Sequence, residues 1–201
     1  MLRQGGGHAG FIARTAGQVR VVKIGGSLEQ AGGLRTCLNR VVDPKQDGLV
    51  IVPGGGIFAD QVRLAQQRWG FDDVSAHQMA ILAMQQMALL FKALKQQLHL
   101  ANSVAEIRQE LESGHSVVWS PGIDGLNAAG IEASWDITSD SLAAWLATEL
   151  GAKELVLIKA AAVAASGSIQ ELADQGIVDR AFVRFTENSF YHITIINQDS
   201  L

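Results

Sequence analysis

The chain has 201 residues, of which 48% are hydrophobic and 18% charged, and its net charge is −4. That size suits one globular domain that buries its own core without a disulfide or structural metal. The 16 basic and 20 acidic residues form no basic run, which argues against nucleic acid as a partner, and the one cysteine, Cys37, excludes an internal disulfide.

The longest apolar stretch, 79–91, is interrupted by Gln85 and Gln86. It is shorter than the roughly 18 apolar residues a bilayer span needs. The N-terminal residues lack an apolar core of signal-peptide length. The expectation is a soluble, cytoplasmic protein with no membrane partner.

Residues 1–17 are glycine-rich without hydrophobic period and read as a mobile extension, leaving 18–201 as a single domain. The extension holds Gly5-x-Gly7-x-x-Gly10, a formal dinucleotide fingerprint, but no strand precedes it. Val19, Val21, Val22 and Ile24 then form a β-branched run ending at Gly25-Gly26. A helix carrying Leu28, Leu34, Leu38 and Val41 is expected next, weakened at Gly32-Gly33. Residues 49–52 form a second buried strand, closed by Pro53-Gly54-Gly55-Gly56. Helices follow over about 57–69 and 74–98. Ser103 to Glu106 reads as a capping box opening a helix to Glu112. Residues 117–119 make a strand and 120–135 a loop. A helix over 138–150 is stopped by Gly151. Strands at 155–158 and 192–196 complete the pattern.

Strands alternating with helices, and solidly apolar rather than alternating, predict an α/β fold. Its sheet is doubly wound and mainly parallel, with helices on both faces. Ligands in such folds sit at the carboxyl ends of the strands. The residues there are 23–27, 53–56, the 120–140 loop and Lys159. Two glycine-rich strand ends suit two phosphate groups, because glycine lets backbone N–H groups approach an anion. Lys23 interrupts a buried run, which costs free energy unless its ammonium meets a partner. Lys159 repeats that pattern. Asp140, in the first turn of its helix, is a carboxylate that can fix an ammonium, with Asp136 a weaker candidate. His77 opens a helix near the second glycine loop and is a candidate substrate contact.

Other chemistries lack their residues. There is no P-loop sequence and no nucleophile elbow. The histidines at 8, 77, 99, 115 and 192 show no metal-ligand spacing, so no protein-bound metal is expected. Gly54-x-Gly56-x-x-Ala59 does match a nicotinamide-binding loop, and Asp72 or Asp73 has the spacing of its acid. Those acids precede a long helix instead of following a strand.

Val22-Lys23-Ile24-Gly25-Gly26-Ser27-Leu28, Val52 to Gly56, Thr138-Ser139-Asp140 and Leu157-Ile158-Lys159-Ala160 together resemble the amino acid kinase superfamily, over about 19–197. The details 76–84, 134–140 and Gly176-Ile177-Val178-Asp179 resemble one branch, the aminomethylfuran-methyl phosphate kinases of methanopterin biosynthesis. The resemblance implies ATP and Mg²⁺ as cofactors, a likeness to homo-oligomeric relatives, and a phosphate or carboxylate acceptor such as a furanmethyl phosphate. It implies that Lys23 bridges the ATP phosphates and Asp140 orients it. Gly25, Gly26 and Ser27 would line the transferred group, and Lys159 with Ala160 would contact the nucleotide. Gly54, Gly55, Gly56, Asp60 and Thr138 would hold the acceptor. A phosphorylated acceptor brings further negative charge, so Arg63 or Arg35 is expected to reach its phosphate.

One departure stands out. Relatives commonly continue this lysine as Ala-Thr-x-Val-Asp-Gly, whereas this chain has alanine at 164 and 165, in place of the acid and the glycine. The alternative it leaves open is a non-catalytic anion- or nucleotide-binding protein on the same fold.

Overall fold

The computed structural model describes residues 18–30, 32–43, 48–160 and 167–200. The 1–17 extension with its glycine fingerprint and the alanine run from 161 lie outside them. In chain order the described elements are β1 (Arg20–Ile24), α1 (Ser27–Gln30), α2 (Leu34–Val41), β2 (Leu49–Pro53), α3 (Gly56–Trp69) and α4 (Asp73–Leu94). β3 (His99–Ala101), α5 (Val104–Glu112), β4 (Val117–Trp119), α6 (Ile123–Ala128) and α7 (Ser139–Leu150) follow. The chain then runs through β5 (Glu154–Lys159), α8 (Ile169–Asp174), α9 (Phe182–Thr186) and β6 (His192–Asn197).

The strands form one sheet of order β3-β4-β2-β1-β5-β6, with every neighbouring pair parallel. β1 lies at its centre, in register with β2 (Lys23 opposite Val52) and β5 (Lys23 opposite Leu157). Side chains alternate across a strand, so each contributes to two cores. Val21, Val50, Leu155 and Leu157 pack with Leu142, Ala143 and Leu146 of α7. Val22, Ile24, Ile51 and Ile158 pack with Leu28, Leu38 and Phe91 from α1, α2 and α4. Helices therefore cover both faces, as the apolar strands require.

Several elements differ from expectation. The first predicted helix is two helices, broken where Gly32 takes a left-handed φ of 69°. The 74–98 helix ends at Leu94, and β3 follows it. That three-residue edge strand carries a histidine and too little apolar pattern to be seen in sequence. The 120–135 loop contains α6, and α8 and α9 are likewise too short to show a period. At α5, Ser103 Oγ accepts from the Glu106 amide, but Glu106 returns to the Asn102 N–H rather than that of Ser103. A full capping box forms instead at α8, between Ser168 and Glu171. Asp72 caps α4 by accepting from the Ser75 amide at 2.8 Å. It ends no strand, which removes the nicotinamide reading of the Gly54 loop.

Candidate active site

Strand alternation decides where the lysines go. Lys23 shares a face of β1 with Val21, and Lys159 shares a face of β5 with Leu155 and Leu157. All of these point toward α7. The first turn of α7 presents Asp140 between the two ammonium groups. Lys23 Nζ lies 2.7 Å from Asp140 Oδ1, and Lys159 Nζ donates to Oδ2 at 2.6 Å. Asp140 is 3% exposed and Lys23 5%. Two cations thus share one carboxylate, and the charge of Asp179 in the same cavity also acts on Lys159, although its oxygens are committed to the start of α7. The lysine ammonium groups are the cations here that an incoming anion could meet.

Titration follows from the same contacts. Burial alone would raise the Asp140 pKa, but Lys23 and then Lys159 outweigh it and hold the carboxyl below its usual range. Burial, aided by the Lys23 charge, pushes Lys159 down to about 8, against the pull of Asp140. The unfolded chain holds that proton up to the ordinary lysine range. Stability therefore rises as pH climbs from about 8 toward 10.5, while the charge available to an anion is lost. For phosphoryl transfer, kcat/KM for ATP is expected to fall above about pH 8, since that parameter reports the free enzyme. Lys159→Arg, which stays charged, should move the limb upward. An unmoved limb in a pH–rate profile would assign it to another group.

The pose of Asp140 depends on a residue from a distant segment, Asp179, 41 positions after Thr138. Thr138, at the N-cap of α7, makes no side-chain cap of its own. Asp179 Oδ2 instead accepts from the Thr138 amide and hydroxyl, both at 2.8 Å, and from the Ser141 amide at 3.0 Å. Ser141 Oγ donates to Asp179 Oδ1. One carboxylate thus satisfies the open N–H groups of the helix terminus and fixes the turn that carries Asp140. Sequence reading gave Asp179 no role, because nothing local marks a cap supplied from another segment.

The two glycine loops touch each other. A Cβ on Gly26 would stand 2.3 Å from the Gly56 nitrogen, and one on Gly54 would stand 2.6 Å from the Gly26 nitrogen. The Gly25 and Gly54 amides are already committed, to Ile158 O (3.0 Å) and Ile24 O (2.8 Å). The expected anion-facing amides at 25 and 54 are therefore sheet donors. Those of Ser27 and Gly56 open helices, where N–H groups lack an intrahelical acceptor. Gly56, at φ 54°, begins the 14-residue α3.

Two cavities meet at this point. One, of about 190 Å³, lies against Gly26, Ser27, Gly54, Gly55 and Gly56 and is walled by α3, α4 and residues 134–139. Trp135 Nε1 donates to Gln66 Oε1 at 2.7 Å, and Gln66 Nε2 donates to Asp73 at 2.8 Å, which fixes the indole as a flat wall. The Arg63 guanidinium lies 4.3 Å from that ring and 3.4 Å from Asp60. His77 is buried here, its Nε2 has no hydrogen-bond partner, and desolvation lowers its pKa. The second cavity, about 460 Å³, holds Lys23, Asp140, Lys159 and Asp179. Thr138 and Trp135 border both.

The structure therefore brings Lys23, Gly26, Ser27, Gly54, Gly55, Gly56, Asp60, Arg63, His77, Thr138, Asp140 and Lys159 to two adjoining spaces. Gly25 lies beneath them, 3.9 Å from Lys23 Nζ by its would-be Cβ. The Ala160 carbonyl accepts from Asn197 Nδ2. Asp136 is exposed, 3.9 Å from Arg180. Arg35 projects from the exposed side of α2 and lines neither cavity, so only Arg63 remains of the two predicted arginines.

A parallel sheet with a Lys-Asp-Lys cluster and paired glycine loops at its carboxyl ends defines a class. Residues 18–162 match the model of the amino acid kinase family, and the chain belongs to that family. Among characterised proteins it is similar to the [5-(aminomethyl)furan-3-yl]methyl phosphate kinase of Methanocaldococcus jannaschii, with 28% identity over 140 residues. That match covers 69% of this chain and 64% of the relative. In fold it is similar to the uridylate kinase of Archaeoglobus fulgidus, with a TM-score of 0.69 and 17% identity, covering 90% of this chain and 92% of that one. The UMP kinase of Bacillus anthracis gives 0.68 and 16%, over 91% and 88%.

Proposed function

We propose that this protein transfers the γ-phosphoryl group of ATP to a small phosphomonoester. The observation that carries the reading is the Lys23-Asp140-Lys159 cluster, which lines one cavity while the glycine loops line the other, the two sharing Trp135 and Thr138. An acceptor phosphate oxygen attacks the γ-phosphorus, the bond from that phosphorus to the β-bridging oxygen breaks, and ADP leaves. The attacking oxygen is already anionic, so no general base is needed. Lys23 and Lys159 supply charge stabilisation, and Asp140 holds both in place.

Mg²⁺ fits this site only through its substrates. Both Asp140 oxygens face lysines, and both Asp179 oxygens accept from the start of α7. Hard cations take oxygen ligands, and phosphate oxygens provide them. The ion would neutralise phosphate charge as ATP binds.

The acceptor cavity suits a small ring bearing a phosphate. Trp135 offers a flat face, the glycine loops an anion cradle, and Asp60 with Asp73 acidic groups for a cationic end. The M. jannaschii relative, a kinase of [5-(aminomethyl)furan-3-yl]methyl phosphate, supports a furanmethyl phosphate as acceptor. The test is ADP release with that compound and with a panel of phosphomonoesters. If no acceptor yields ADP while calorimetry detects anion binding, the non-catalytic alternative suggested by Ala164 and Ala165 replaces this reading.

Arg63, which lines this cavity beside Asp60, is the arginine proposed to reach the acceptor phosphate by leaving its Asp60 contact. Arg63→Ala should raise acceptor KM more than twofold and leave KM for ATP nearly unchanged, with Arg35→Ala silent in both. Equal KM values for wild type and Arg63→Ala in steady-state kinetics would leave the phosphate to the glycine loops alone.

The same reading includes assembly of like subunits. Leu82 and Leu89, 55% and 57% exposed, lie two turns apart on α4, with Met79 beside them. They would form a subunit contact. Leu82→Glu with Leu89→Glu should yield monomers in light scattering from an oligomeric wild type, and a monomeric wild type would overturn the contact.

A further inference from the structure

At the opposite end of the sheet from the phosphate cluster, three side chains from three elements converge. His99 is the first residue of β3, Glu110 lies on α5, and His115 precedes β4. All strands are parallel, so these starts of β3 and β4 lie far from the carboxyl ends that carry the lysines. His99 Nδ1 is 2.9 Å and His115 Nδ1 2.7 Å from the same oxygen, Glu110 Oε2. The two imidazoles stack at 3.7 Å with an interplanar angle of 13°. Among the described residues, their ligand-type atoms all lie within 4.8 Å of one another.

Sequence spacing concealed this set, because His99 and His115 belong to separate strands. The backbone fixes it. Gly114, at φ 81°, turns the chain so that the His115 amide donates to Glu110 O at 3.0 Å. The His99 amide donates to Ser116 O at 2.8 Å. All three Cα positions are therefore held by main-chain bonds, and only side-chain torsions remain to adjust. Each ring is about two-fifths exposed, which leaves access for an ion and for water ligands.

We propose that His99, Glu110 and His115 form a binding site for a divalent transition-metal ion of the Zn²⁺ class, separate from the phosphoryl-transfer site. Two imidazole nitrogens and one carboxylate oxygen match borderline cations such as Zn²⁺, Co²⁺ or Ni²⁺, and disfavour Mg²⁺, which takes oxygen ligands. At Zn–N distances near 2.0–2.1 Å, binding requires the rings to tilt out of their stack and the nitrogens to move slightly off Glu110. The ion would tie the edge strand β3 to α5 and β4, so its effect is on the stability of that edge.

The test uses the full-length protein and the metals alone. Co²⁺ titration should give a visible d–d band that saturates at one equivalent, and Zn²⁺ should displace it and raise the melting temperature. His99→Ala and His115→Ala should each weaken Zn²⁺ binding on the order of 100-fold or more, because even losing an outer-shell partner costs 10–100-fold. Mg²⁺-supported phosphoryl transfer should be unchanged in both. Absence of a one-equivalent Co²⁺ band in the wild type would overturn the proposal without any variant. So would Zn²⁺ affinity retained in both variants, which would place the ion elsewhere on the chain.

Discussion

Replacing Lys23 with alanine should lower kcat by at least about 100-fold, the scale of removing one preorganised donor to transition-state charge. The variant should fold nearly as well as the wild type. It leaves Asp140 and Lys159 as a one-to-one pair at 2.6 Å, so no buried charge is stranded. It also removes the Lys23 charge that helps burial hold Lys159 down. The alkaline limb of kcat/KM should therefore move upward in whatever activity remains. Single-turnover kinetics and a thermal melt decide the matter together. A rate within tenfold of wild type would take Lys23 out of the mechanism, and a large drop in melting temperature would mean the loss was one of structure.

Asp140→Asn should act on both properties at once. The change is nearly isosteric, but it removes the carboxylate that touches both buried ammonium groups and leaves only the Asp179 charge in the cavity. Breaking a buried ion pair in this way costs about 3–5 kcal/mol. For a domain of this size each kcal/mol is worth roughly 2–4 °C, so the melting temperature should fall by about 10 °C. The deficit should shrink as pH rises toward 8, since without Asp140 to hold it Lys159 sheds its proton at lower pH than in the wild type. Saturating ATP should restore part of it by bringing anions to the lysines. A melting curve unchanged from wild type at pH 7 would mean that water, not Asp140, compensates the two charges.

The sheet and its site were legible to different depths. Buried strands declare themselves through apolar runs, and glycine punctuates their ends, so β1, β2, β4, β5 and β6 were readable. The lysines were readable because a charge in such a run demands a partner, and strand period two carries both to one face. β3 was not, since three residues beginning with histidine carry no period. Asp179 was not, since a cap donated across 41 residues is a tertiary fact. The glycines were expected at the strand ends, and the structure gives some of them a packing reason the sequence did not show. Gly25 and Gly54 donate to neighbouring strands, and Gly26 is small because the other loop lies against it.

That contact has a mechanical consequence. With the Gly26 and Gly54–Gly56 backbones in close contact, the two glycine loops form one continuous floor. Under the proposed transfer, the gap that a phosphoryl group would cross is then set by main-chain dimensions. Any closure around an acceptor has to come from the roof, where Trp135, Arg63 and His77 sit on α3, α4 and the segment before α7. On that reading, changing those walls would alter which molecule is admitted and leave the transfer distance alone. A single methyl at position 26 would do the reverse, lengthening the stroke while leaving every recognising side chain in place.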